Sequence, residues 1–142
     1  MNVARLVPEL YCRDLKASLQ FYVHLVGFNV LWERKPEKFA YLDLNGAQIM
    51  LEENSFDSTS ERTWWTGQAE VPLGRGVNFE ITVTDVKAIY IRLNSAEWPI
   101  FRQIEDKYYQ TGDVQSGNRQ FLVQDPDGYL LRFAEELHSN GL

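Results

Sequence analysis

The chain has 142 residues, 44% hydrophobic and 24% charged, a size and composition suited to one globular domain or two small modules sharing a core. Acidic side chains outnumber basic ones 20 to 14 for a net charge of −6, which disfavours nucleic acid or anionic membrane as partner and favours a cationic ligand. The single cysteine, Cys12, excludes an internal disulfide framework and a thiolate metal cluster, and reads as a small buried side chain.

In chain order, the opening MNVARLVPEL lacks the long apolar run of a secretory signal, and no later stretch approaches the roughly 20 apolar residues of a membrane span. The expected location is cytoplasmic. PELYCRDLKA then reads as a strand ending at Asp14, a residue whose carboxylate can accept from the free amides of a helix start. Leu15, Leu19, Tyr22 and Val26 recur at helical spacing, with Gly27 as the stop. Residues 28–34 suggest a strand. FAYLDLNGAQIMLEE predicts a hairpin turning at Asn45-Gly46, a pair that tolerates positive φ. A two-residue turn sets Leu44 against Ala47, Leu42 against Ile49 and Ala40 against Leu51, an apolar face made to cover a helix. The opposite face pairs Asp43 with Gln48, Tyr41 with Met50 and Phe39 with Glu52, the mixture expected where a sheet lines a cavity.

Residues 54–76 are polar and loop-like but carry Trp64-Trp65, two rings that need a surface to cover: core, dimer partner or ligand. FEITVTDVKA then repeats PELYCRDLKA at an offset of 71, matching Glu9 with Glu80, Asp14 with Asp85, Lys16 with Lys87 and Ala17 with Ala88. A second helix follows with Val86, Ile89, Tyr90 and Leu93 on one face. Residues 99–105, 119–124 and 129–134 are strand candidates, and EDKYYQTGDVQSGN between the first two reads as a long polar loop holding Tyr108-Tyr109. Each half is therefore β-α-β-β-β. The fold class is α+β, two βαβββ modules forming curved mixed sheets, at about 3–53 and about 76–136 with a linker at about 54–75. Val77, Phe79, Ile81 and Val83 form an apolar row that leaves Glu80 opposite, so Glu9, Glu52 and Glu80 are expected on one concave face, unless that face is simply solvated.

The start PELYCRDLKASLQFYVHLVGF and the end RQFLVQDPDGYLLRF resemble the vicinal oxygen chelate superfamily, in particular its glyoxalase/bleomycin resistance branch, over most of the chain. Enzymes of that superfamily hold a divalent metal at positions that fall here on Val7, Glu52, Asn78 and Arg132, of which Glu52 alone is an ordinary ligand. The resemblance thus implies the binding branch: no catalytic residue, no metal, no cofactor, and a homodimer that sequesters a cationic aromatic antibiotic of the bleomycin type unchanged. Phe39 and either Trp64 or Trp65 are the candidate stacking walls, and Glu9, Glu52 and Glu80 supply negative potential. Tyr108 or Tyr109 is the candidate replacement for an aromatic that bleomycin binders carry just before Arg119, where this chain has Gly117-Asn118. Arg132 is expected to pair with Glu52 or another carboxylate of the cavity. Two other readings remain: a metal-dependent lyase, isomerase or dioxygenase with Glu9, Glu52 and Glu80 around an ion, and a binder of a different metabolite. His24 and His138 read as surface or packing histidines rather than catalytic ones.

Overall fold

Both repeats turn from strand to helix at their aspartate. In the computed structural model, which describes residues 2–56 and 64–137, β1 (Glu9–Cys12) ends beside Asp14, whose carboxylate accepts from the Lys16 and Ala17 amides at 3.1 and 3.4 Å. Helix α1 (Leu15–Leu19) continues as a π-helical segment, Gln20–Val26, and Gly27 stops it at φ 111°. His24 lies exposed on that segment, and His138 lies outside the described residues. Next come β2 (Asn29–Arg34), a short 3₁₀ turn, β3 (Phe39–Leu44), β4 (Ala47–Glu53) and β5 (Asn78–Thr82). Asp85 caps α2 (Val86–Ser95) through the Ala88 amide at 3.1 Å, and β6 (Ile100–Thr111), β7 (Val114–Gln124) and β8 (Leu130–Leu137) complete the chain.

The strands make two four-stranded sheets, ordered β1-β4-β3-β2 and β5-β8-β7-β6. In each, the first strand runs parallel to the last and the remaining pairs are antiparallel, so the duplication is written in topology as well as in sequence. This is the α+β architecture of paired βαβββ units. The β3–β4 hairpin has the register that its Asn45-Gly46 turn dictates, with φ of 50° and 98° at those two residues.

The segment after Glu105 departs from expectation. Residues 106–118 are not a loop: β6 and β7 pair outward as far as Thr111 opposite Val114, so Tyr108 and Tyr109 sit on a strand. Tyr108 lies across Gly117, where an added Cβ would come within 2.6 Å of its ring, and Arg119 grips Asp106 with two hydrogen bonds of 2.8 and 3.1 Å. A hairpin arm wet on both faces has no apolar alternation to announce it.

The backs of both sheets and both helices share one core, in which Leu42, Leu51, Leu93, Phe121, Leu131 and Phe133 are fully buried. The turn Asp125-Pro126-Asp127-Gly128 latches the halves together. Asp125 accepts from the Asp127 and Tyr129 amides of its own turn at 2.8 and 3.0 Å, and from the Tyr22 hydroxyl of the first half at 2.7 Å. Burial pushes its carboxyl up to about 6 against those three hydrogen bonds, with the Asp127 charge adding to the rise. Arg13 donates to Asp127 at 2.8 Å across the same seam, and Arg92 caps the end of the first helical segment through the Leu25 and Val26 carbonyls at 2.8 and 2.9 Å. Cys12 is buried beside this seam, and burial lifts its thiol to about 12. Among the described residues no helix is long and apolar enough to cross a membrane.

Candidate functional site

Alternation along the strands sends Leu10, Ala40, Leu42, Ile49 and Leu51 into the core and brings their neighbours to the front of the first sheet. Cross-strand register then builds two rows there. One runs Tyr11, Glu52, Phe39, Arg34; the other runs Glu9, Met50, Tyr41, Trp32. Trp32 stacks on Tyr41 with ring centroids 4.0 Å apart and 17° between planes. The Arg34 guanidinium carbon lies 3.8 Å from the centroid of the Phe39 ring. At the other end of the first row Tyr11 meets Trp65 at 4.9 Å, and Trp65 meets Phe56 at 5.3 Å. The indole N–H of Trp65 is buried with no hydrogen-bond partner among the described residues. Gln48 closes the far edge of the face: it accepts from the Tyr41 hydroxyl and the Ala4 amide, both at 2.7 Å, and donates to the Asn2 carbonyl at 2.8 Å.

Partial burial, and then the Glu52 charge, raise the pKa of Glu9; Arg34 pulls it partly back. Two carboxylates thus share a semi-aromatic floor, where charge interactions are stronger than in open water.

The front of the second sheet has the same geometry and different chemistry. The row equivalent to that of Glu9 runs Glu80, Arg132, Leu122, Arg102. Arg132 lies 3.5 Å from the Glu80 carboxylate and donates to the Asn78 side-chain oxygen at 3.3 Å. A cleft of about 640 Å³ opens along this sheet between Arg102, Glu105, Lys107 and Gln120.

Several sequence expectations are corrected by these positions. Glu9 and Glu52 come together on the first sheet, but Glu80 belongs to the second, because strand parity fixes which face a residue takes and not which sheet carries it. Of the two alternatives expected for Arg132, Glu52 or another carboxylate of the cavity, the partner is the second, Glu80. Phe39 is on the front as expected but only 2% exposed beneath Arg34, so it is not an open wall. Trp65 joins the recess, whereas Trp64 is 77% exposed and touches it through its backbone amide, which donates to the Tyr11 hydroxyl at 3.1 Å. Tyr108 and Tyr109 stand on the exposed hairpin arm. Sequence reasoning missed Tyr11, Trp32 and Arg34. Tyr11 was legible two residues after Glu9, but Trp32 and Arg34 follow a bulge between Val30 and Trp32 that resets the alternation of β2.

The superfamily's metal positions, tested against these side chains, do not fit a divalent cation. Val7 has no donor, Arg132 is itself a cation, and the Asn78 oxygen already receives Arg132. Among the described residues no three His, Cys, Asp or Glu side chains gather so as to hold a metal.

Paired βαβββ units of this topology define a vicinal oxygen chelate fold. The chain belongs to the glyoxalase/bleomycin resistance protein/dioxygenase superfamily, whose model matches residues 3–133. Among solved structures, a member of that superfamily from Vibrio splendidus 12B01 is 40% identical over 95% of this chain and 100% of its own, with a TM-score of 0.43. TioX from Micromonospora sp. ML1 is 25% identical over 95% of this chain and 100% of its own, with a TM-score of 0.70. A lactoylglutathione lyase from Agrobacterium tumefaciens, 18% identical over 94% of both chains with a TM-score of 0.60, shares the fold. No curated protein matches the chain.

Proposed function

We propose that the protein sequesters a cationic aromatic small molecule, with a bleomycin-type antibiotic as the candidate, and does not change it chemically. The observation that carries this reading is the pair Glu9 and Glu52, set among Tyr11, Trp65 and Trp32 on the first front with Arg34 only partly offsetting their charge. A cation seated there relieves the repulsion between the carboxylates while its rings pack against the half-buried Trp32 and Trp65. The unsuitable donor set at the superfamily's metal positions supports binding over metal-dependent chemistry.

A homodimer belongs to the same proposal. Setting the second front of one copy, with Arg102, against the first front of another brings unlike charges together and builds a groove from both chains. The test is tryptophan fluorescence of chelator-treated protein titrated with bleomycin at low and moderate salt. Saturable quenching that salt weakens is the expected result; an unchanged signal at high micromolar drug overturns the reading.

A further inference from the structure

Among the described residues, the Phe39 ring is the aromatic face on the first front that a charge of this chain already covers. Arg34 reaches it from β2, its guanidinium carbon 3.8 Å from the ring centroid. Across the same row stands Glu52, and Glu9 of the adjoining row feels Arg34 as an opposing charge. A flat cation therefore already sits on a ring next to two carboxylates, which is the arrangement a cationic ligand would need. The hold on it is light. Arg34 Nε donates to Glu37 at 2.8 Å, three residues along the chain, and the arginine side chain is 52% exposed. Release into water restores rotamer freedom to a long side chain, which offsets part of what the contact contributes.

We propose that Arg34 is a resident surrogate for the ligand's cation: it covers Phe39 in the free protein and swings out when a planar cationic group takes its place beside Glu9 and Glu52. This rests on the small-molecule reading of the first front and specifies the ligand's chemistry. The incoming group is a delocalised planar cation, a guanidinium or amidinium, because such a group both lies flat on a ring and aims several N–H donors at carboxylates; a compact ammonium does only part of this. A neutral planar group of the same shape gains the ring but not the charges.

Calorimetric titration of the full chain with benzamidinium, and with neutral benzamide as its near-isostere, tests the idea in wild type, Arg34→Gln and the double variant Arg34→Gln/Phe39→Leu. Removing the competing cation is expected to tighten benzamidinium about fivefold, tighten benzamide less than about twofold because it gains the ring alone, and lose the gain when Phe39 is also replaced. Unchanged, weakened or undetectable benzamidinium binding by Arg34→Gln overturns the proposal, and so does an equal gain for benzamide. A strap that merely holds β2 to β3 would instead appear as a lowered melting temperature without a change in cation selectivity. Bleomycin titrated in parallel separates the two readings. No response to the drug alongside the benzamidinium gain sinks the antibiotic assignment alone; drug binding without that gain sinks the surrogate role alone.

Discussion

Glu9 and Glu80 occupy equivalent places in the two repeats, yet their neighbours in the sheet differ at every step. Across from Glu9 come Met50, Tyr41 and Trp32; across from Glu80 come Arg132, Leu122 and Arg102. One carboxylate is left with a second carboxylate nearby and an aromatic floor, while the other is paired to a guanidinium. Duplication therefore conserves the backbone frame, and the cross-strand partners decide what each copy of the frame can attract. The first front suits a cation, and on the second the equivalent carboxylate is already paired with Arg132.

The comparison holds only if both fronts stand on one shared core. Leu51→Ala behind the first front and Leu131→Ala behind the second should each cost about 3 kcal/mol, since both side chains are fully buried in the same cluster. Chemical denaturation followed by circular dichroism should show a single transition that moves for either variant; two transitions, each moved by one variant, would mean that the halves fold apart.

The latch between the halves sets a pH dependence of similar size. Asp125 has a folded pKa of about 6 against an ordinary unfolded value near 4, so between those values the folded state binds more protons than the unfolded one. Its contribution is complete below pH ~4 and is lost as pH rises through about 6, a decline of at most about 3 kcal/mol. Denaturation midpoints taken across that range should slope downward, and Asp125→Asn should flatten the slope. An unchanged slope in the variant would place the titration elsewhere.

Charge removal separates the fronts themselves. Glu9→Gln or Glu52→Gln should weaken bleomycin about fivefold and reduce the salt dependence of its affinity, whereas Glu80→Gln should change affinity less than about twofold, because Arg132 already neutralises that carboxylate. Equal losses in all three would erase the distinction between the two fronts. The smallest expected effect is on stability: the half-exposed Arg132 and Glu80 pair is worth at most about 1 kcal/mol, so Glu80→Gln should scarcely move the melting temperature.

Much of the frame was legible because it rests on local chemistry. Asp14 and Asp85 cap their helices, Gly27 ends the first one, and Asn45-Gly46 sets a register that carries Phe39 and Glu52 to the same face. What stayed hidden was non-local or unpatterned. Nothing along the chain says that Arg34 will lie on Phe39 across the edge of a sheet, or that Arg132 will meet Glu80 from a strand some fifty residues later. The long β6–β7 arm was hidden for a different reason: exposed on both faces, its polar residues have the pattern of a loop.

The most direct test of a cation-binding first front is chemical-shift mapping of isotope-labelled, chelator-treated protein during a bleomycin titration. The account predicts shifts at the Trp32 and Trp65 indole N–H groups and at the amides of Glu9, Met50 and Glu52, with Arg34 moving as it leaves Phe39. Shifts gathered instead along Arg102, Leu122 and Arg132, with the first front silent, would contradict it.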